Sequence, residues 1–190
     1  LNATAAIAVG VGLDVSVEQI QSALASFAGV DRRFQLRGTA AGVSVIDDYG
    51  HHPTEIRATL AAARECGYRK VHVVFQPHRY TRTQSLMDEF ATAFENADSL
   101  FVMDIYPAGE QPIPEITGET LVRRMDENQS PPVKYVSSFE NAATSVSAVA
   151  QQGDMILTLG AGSVSQLGPM IIEKLQLRAA DSPTPVEISQ

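Results

Sequence analysis

VSVIDDYGHHPTEI, residues 43–56, is the stretch from which the rest of the chain is read. Val43 and Val45 alternate with Ser44, as on one face of a strand. At Asp47 that pattern gives way to two acids, a tyrosine, a glycine and two histidines. Pro53 then restarts the chain as a helix, where its fixed φ and missing N–H do no harm. The result is a strand-to-helix turn dense in polar side chains, and open α/β sheets bind ligands at such turns. The plainer alternative is an ordinary βα loop with solvated polar residues.

The chain has 190 residues, 44% of them hydrophobic, enough for one well-filled core or one core plus part of a neighbour. No apolar run approaches the roughly 20 residues of a membrane helix, and no signal-peptide pattern is present, so the expected location is the cytoplasm. The single Cys66 agrees with a reducing compartment. A formal charge of -8 argues against a nucleic-acid surface, so an anionic ligand must be met by a local cluster of Arg and His. LNATAAIAVGVGL, residues 1–13, is apolar from its first residue with no cap ahead of it, and reads as the inside of a helix that starts earlier.

Outward from the turn, the pattern alternates. Residues 1–29 read as two helices, the second capped within Asp14 to Ser16. Phe34 to Arg37 and Val43 to Ile46 form a hairpin around Gly38 to Gly42. A helix from Pro53 to Glu65 leads to a strand, Lys70 to Phe75, apolar enough to be covered on both faces. Then come a polar turn, a helix from Ser85 to Asn96, a strand from Leu100 to Ile105, a Pro-rich loop from Tyr106 to Ile116 and a short helix from Gly118 to Met125. Strand Val133 to Val136, helix Phe139 to Gln151 and strand Met155 to Leu159 follow, and a last helix runs from the Gly160–Ser163 turn to about Leu177. The fold class is therefore α/β: a Rossmann-like, mostly parallel twisted sheet with helices on both faces, preceded by two helices. The expected segments are 1–30, 31–178 and a flexible tail at 179–190.

In a parallel sheet all strand C-termini open on one edge, which lines up three turns. In the first, Asp47 and Asp48 suit a ribose hydroxyl or a shell water of Mg²⁺, or one of them a helix N-cap. His51 suits a polar substrate contact, whereas His52, before Pro53, reads as structural. Adjacent histidines without a third ligand make a poor zinc site, and no metal ligand is assigned. The second turn holds His78, Arg79 and Arg82 beside a helix start that also favours an anion. Arg79 and Arg82, three apart, would share one side of a first helical turn and grip a carboxylate or phosphate, or would be a solvated surface pair. The third turn, Gly160-Ala161-Gly162-Ser163, lacks the third glycine of a dinucleotide fingerprint, so nicotinamide binding ranks low; its N–H groups and Ser163 suit a small carboxylate.

LNATAAIAV, GVDRRFQ, DDYGHHPTE, FQPHRYTRT and LTLGAGSV, spread from Leu1 to Val164, together resemble the C-terminal part of a Mur ligase of bacterial peptidoglycan synthesis. The resemblance is to the branch that joins L-alanine to UDP-N-acetylmuramate; a ligase adding a muropeptide to the same acceptor is the alternative, as is a non-catalytic small-anion module. It implies an ATP-dependent enzyme with Mg²⁺ held mainly by a central domain. That domain's GxxxxGK[ST] loop is absent here, so this fragment is expected to be inactive alone and to contain no catalytic residue. Residues 1–30 would then be the last helices of the central domain. By the same resemblance Asn2, Arg33 and Asp48 face ATP, Tyr49 and His51 lie on the substrate-facing side of their turn, and His78, Arg79, Arg82 and Ser163 face the incoming amino acid. UDP-N-acetylmuramate, L-alanine and ATP are the implied partners, with no nucleic acid and no membrane.

Overall fold

The computed structural model describes residues 2–27, 29–127 and 131–181, which divide into two compact units, Leu1–Asp31 and Arg32–Gln190. The first unit is a helical pair, α1 (Asn2–Gly12) and α2 (Val17–Ser26). Ser16 caps α2, its hydroxyl accepting from the Gln19 N–H while the Gln19 side chain accepts from the Ser16 N–H. The close approach of the pair is set by Gly10, where a Cβ would lie 3.0 Å from Ile20. Ile7, Val9, Val11 and Leu13 are exposed.

The second unit is a six-stranded sheet in the order β1-β2-β6-β3-β4-β5. The strands are β1 (Gln35–Ala40), β2 (Val43–Asp48), β3 (Val71–Phe75), β4 (Ser99–Val102), β5 (Val133–Tyr135) and β6 (Met155–Leu159). Only β1 and β2 pair antiparallel; all other neighbours are parallel. The hairpin turn is tighter than its sequence suggests. Strand pairing continues to Ala40, leaving Ala41 and Gly42 at φ 51° and 71° as a two-residue turn whose twist matches the strands.

Alternation along the strands divides the core into two layers. Val71, Val73 and Phe75 of β3, with Met155, Leu157 and Leu159 of β6, face α3 (Pro53–Glu65), α5 (Met87–Ala91) and α6 (Gly118–Glu127). Val74 and Ile156 point the other way, to α7 (Phe139–Val149) and α8 (Leu167–Asp181). Phe75, Phe90 and Phe94 are fully buried, with ring centroids 5.5 and 5.1 Å apart, and each contributes about 1.5–3 kcal/mol by its burial.

Two of the helices depart from their sequence patterns, and the strand expected over Leu100 to Ile105 ends at Val102. In place of one helix over 85–96 there are α4 (Tyr80–Ser85) and α5, broken at Leu86 (φ −117°, ψ 21°). The earlier start at Tyr80 is supported from a distant loop, because Glu110 binds the N–H and hydroxyl of Thr81 at 3.0 and 2.7 Å. Helix α8 continues to Asp181, so residues 179–181 are helical where a tail was expected. Ala179 and Ala180 are good helix formers and extend the last turn. The rest of that expected tail, 182–190, lies outside the described residues.

Candidate functional site at the carboxyl edge of the sheet

Strand β6, last in the chain, lies between β2 and β3, and its placement brings the three turns together. Asp48, Leu159 and Phe75 are register partners, so the chain leaves all three strands at the same level. The connections diverge there: β2 and β3 lead to the α3 and α5 layer, β6 to α8 on the opposite face. A crevice opens where successive connections part in this way.

The two acids of the first turn face inward. Asp47 is fully buried, accepting from Arg32 Nε at 2.8 Å and Thr158 Oγ1 at 2.6 Å. It is therefore neither a helix cap nor a ligand for a shell water, because pairing with a buried charge has consumed its carboxylate. Asp48 accepts from the N–H groups of Phe34 and Gly50 at 2.8 and 2.7 Å and from the Thr59 hydroxyl at 3.3 Å. With three donors on a carboxylate that is only 5% exposed, Asp48 organises the turn around itself. The cap of α3 is His52, whose Nδ1 accepts from Thr54 N, joined by Glu55 accepting from the N–H groups of His51 and His52. Burial works to raise the Glu55 pKa, but the two N–H donors with His51 and Arg33 nearby hold it below the usual carboxylate range.

Tyr49, His51 and His78 turn outward. Tyr49 stands edge-on to His51 at 5.3 Å, and His51 is 5.7 Å from His78. Their tautomers follow from their partners. His51 Nδ1 lies 3.1 Å from the Tyr49 carbonyl, which can only accept, so in the neutral ring Nε2 keeps a free lone pair. His78 is the reverse: Arg82 Nη1 donates to its Nδ1 at 3.2 Å, which leaves Nε2–H as an outward donor. Burial, then the charges of Arg82, His51 and Arg79, push the His78 pKa below its ordinary value, with Glu110 opposing. The rim thus offers one imidazole acceptor beside one imidazole donor.

The two arginines of the second turn do not form the expected fork. Arg82 folds back on His78, reaching its carbonyl as well at 3.3 Å. Arg79 precedes α4 at φ 75°, with Nη1 3.9 Å from Glu110 and its side chain half exposed. In the third turn Ser163 Oγ donates to Gln76 Oε1 at 3.4 Å, and Val164 N donates to the same oxygen at 3.0 Å. Arg33 is exposed with its guanidinium 5.9 Å from the Tyr49 ring. Asn2 belongs to the first unit.

Three residues of the rim carry no separate signal in the sequence. Arg32, beside the Arg33 that the sequence singles out, is the strut: besides Asp47 it donates to the carbonyls of Gly160 and Gly162 and lies 5.2 Å from the Tyr49 ring. Tyr106, in the loop after β4, stacks on His78 with centroids 5.6 Å apart and planes 10° apart. Two 2.8 Å backbone bonds hold that stack, Arg79 N to Tyr106 O and Tyr106 N to Pro77 O. Glu110 is the third. Only the Pro-rich character of 106–116 hinted that this loop had a fixed shape.

Among the described residues no group of three His, Cys, Asp or Glu is placed to hold a metal, and Asp47 and Asp48 are spent internally. These residues do not fit a magnesium site of their own. No described helix is long and apolar enough to cross a membrane.

A mostly parallel six-stranded sheet whose strand-end turns gather at one edge defines a Rossmann-like α/β domain. The chain belongs to the Mur ligase family: the family's glutamate ligase domain, described as "Mur ligase, glutamate ligase domain", matches residues 32–162. Its relatives include the UDP-N-acetylmuramate–L-alanine ligases of Koribacter versatilis, 63% identical over 93% of this chain and 38% of the relative, and of Solibacter usitatus, 58% identical over 93% and 37%. The chain spans little more than a third of the length of these curated relatives. Among solved structures, a UDP-N-acetylmuramate–alanine ligase from Thermotoga maritima superposes with TM-score 0.75 at 27% identity, over 93% of this chain and 37% of that one. A murein peptide ligase from Psychrobacter arcticus gives 0.69 at 26%, over 92% and 36%.

Proposed function

We propose that this chain is the amino-acid-receiving portion of an ATP-dependent ligase that joins L-alanine to UDP-N-acetylmuramate. Residues 1–30 belong on this reading to the end of a central ATP-binding domain, residues 31–178 to the C-terminal domain. In the whole enzyme ATP would phosphorylate the muramoyl carboxylate, and the amine of alanine would attack the acyl phosphate, expelling phosphate and forming the amide. The chain's own residues position the amino acid and stabilise charge.

The observation that carries this reading is the complementary imidazole pair. An α-amino acid presents a carboxylate and an ammonium a few ångströms apart. His78 Nε2–H, with Arg79 beside it, suits the carboxylate, and the free lone pair of His51 Nε2 suits the ammonium, whose proton must leave before attack. Ser163, in the turn after β6, is assigned to the amino acid, and Arg33, Asn2 and Asp48 to the nucleotide, by family resemblance alone. The choice of alanine over a muropeptide is supported by relatives at 47–63% identity that are all named as alanine ligases.

The test is kinetic, in the full-length ligase that contains this chain. Arg79→Ala should cost about 2–4 kcal/mol in kcat/KM for alanine, as expected when a bound carboxylate loses a charged partner, with the KM for ATP little changed. An unaltered alanine dependence would remove the carboxylate assignment.

A further inference from the structure

Four rings stand in a row along the rim: Tyr49, His51, His78 and Tyr106, with successive centroids 5.3, 5.7 and 5.6 Å apart. The first three come from the turns after β2 and β3, the last from the loop after β4. Tyr49 meets His51 edge-on and His51 is tilted to His78, whereas Tyr106 lies flat on His78 with the planes 10° apart. A flat stack leaves the histidine one ring plane, and the hydrogen bond from Arg82 Nη1 to Nδ1 sets its rotation within that plane. The direction of Nε2–H is then determined.

The backbone of the same tyrosine reaches the neighbouring arginine. Tyr106 O accepts from Arg79 N and Tyr106 N donates to Pro77 O, both at 2.8 Å, a short parallel bridge alongside His78. Arg79 is at φ 75°, in the left-handed region that a residue with a Cβ keeps only when its surroundings hold it there. The bond to Tyr106 supplies that hold. On its other side the tyrosine is seated against the third turn: a Cβ at Gly162 would lie 2.6 Å from Tyr106 Cγ and 2.8 Å from its Cβ, so the ring fits only because residue 162 has no side chain. None of these contacts uses the hydroxyl.

We infer that Tyr106 is a positioning residue for the incoming amino acid, holding His78 and Arg79, the two groups proposed to take its carboxylate, in one fixed geometry relative to each other. The inference rests on the carboxylate assignment made for those two residues. It adds the part that their own turn does not contain: the ring acts through His78 and the carbonyl through Arg79. A pair set in place before the substrate arrives binds without the ordering cost that two free side chains would bear.

Steady-state kinetics and histidine-ring NMR of the full-length ligase that contains this chain test it together. In the parent, L-alanine should shift the ring signals of His51 and His78. Tyr106→Ala should raise the KM for alanine on the order of tenfold while kcat and the KM for ATP stay within about twofold, the pattern of a lost binding geometry rather than lost chemistry. The His78 ring protons should move downfield as the ring current of the stacked tyrosine disappears. Tyr106→Phe keeps the ring and should restore both the alanine KM and the His78 signals. Tyr106→Leu keeps an apolar side chain against Gly162 without an aromatic face and should behave as Tyr106→Ala does, so it carries the test if the alanine variant fails to fold. A folded Tyr106→Leu enzyme with the parental alanine KM or unmoved His78 signals would overturn the inference, and so would a phenylalanine that fails to rescue. Arg79→Ala separates this outcome from the fate of the carboxylate assignment. If Arg79→Ala raises the alanine KM and Tyr106→Leu does not, Tyr106 loses its role and the proposed function stands; an alanine KM indifferent to both removes the assignment and the inference with it.

Discussion

At Arg32 and Arg33 two identical side chains, adjacent in sequence, have unlike physics. Arg32 pairs with a fully buried Asp47 and reaches two carbonyls of the Gly-rich turn, whereas Arg33 lies exposed beside Tyr49. Removing one partner of a buried pair strands the other charge, so Arg32→Ala should lower unfolding stability by about 3–5 kcal/mol in a urea melt. Arg33→Ala should stay within about 0.5 kcal/mol, and equal losses from the two would show that Arg32 is no strut. His78 gives a second test. Its pKa is depressed, so the folded state favours the neutral ring, and stability is lost as pH falls below the ordinary value of 6.5 toward the folded pKa. Replacing Arg82 by Gln removes the nearest opposing charge, so the NMR midpoint of His78 should move up toward 6.5; a midpoint unmoved or lower would contradict the Arg82 contact.

The elements show why some of this was legible in the sequence and some was not. Period-two and period-3.6 patterns mark β2, α3, β3, β6 and α7 because each buries one face or both in a single core, and Pro53 and the Gly160 turn punctuate them. The split of α4 from α5 was illegible, since the cap of α4 comes from Glu110, 29 residues beyond Thr81. Glu110 is held below the usual carboxylate range, first by the Thr81 hydroxyl and then by the Thr81 N–H. The cap is thus complete above the ordinary carboxylate value of 4.5 and is lost as pH falls through the lower folded value. Hydrogen exchange at the Thr81 amide should accelerate in Glu110→Ala at neutral pH; unchanged protection would mean that α4 holds its start without help. The polar side chains of residues 47–52 were legible by type but not by direction, because nothing local says that Asp47 meets Thr158, 111 residues away. At Gly160 the requirement is sharper: φ is 142°, and a Cβ would lie 2.6 Å from the Gln76 carbonyl oxygen. Gly160→Ala should therefore cost about 1–3 kcal/mol in a denaturant melt, since backbone must move to admit the methyl.

Across the whole second unit, opposite edges of one sheet have opposite duties. The carboxyl edge spends backbone strain and exposed charge on a rim, with Arg79 and Gly160 both at positive φ. The amino edge is tied by a polar network gathered on one oxygen, Asp154 Oδ2. There Asp154, fully buried, accepts from Arg69 at 2.9 Å, from Gln151 N at 2.8 Å and from His72 Nε2 at 3.1 Å, and His72 in turn meets Ser99 at 2.8 Å. These contacts tie the starts of β3, β4 and β6 together beneath the site. Burial works to raise the Asp154 pKa, but the Gln151 N–H, His72 and Arg69 outweigh it, and the net shift is downward from 3.8. A depressed carboxylate contributes stability above its unfolded pKa and loses it as pH falls through the folded value. Asp154→Asn should therefore unfold at lower urea than the parent at pH 7, with the gap narrowing as pH drops below about 4. The same variant should keep the alanine-induced NMR shifts at His51 and His78, since the network lies at the far end of the strands. A gap that stays constant with pH would show that the Asp154 charge is not what locks that edge, and loss of the rim shifts in a folded variant would show that the two edges are not independent.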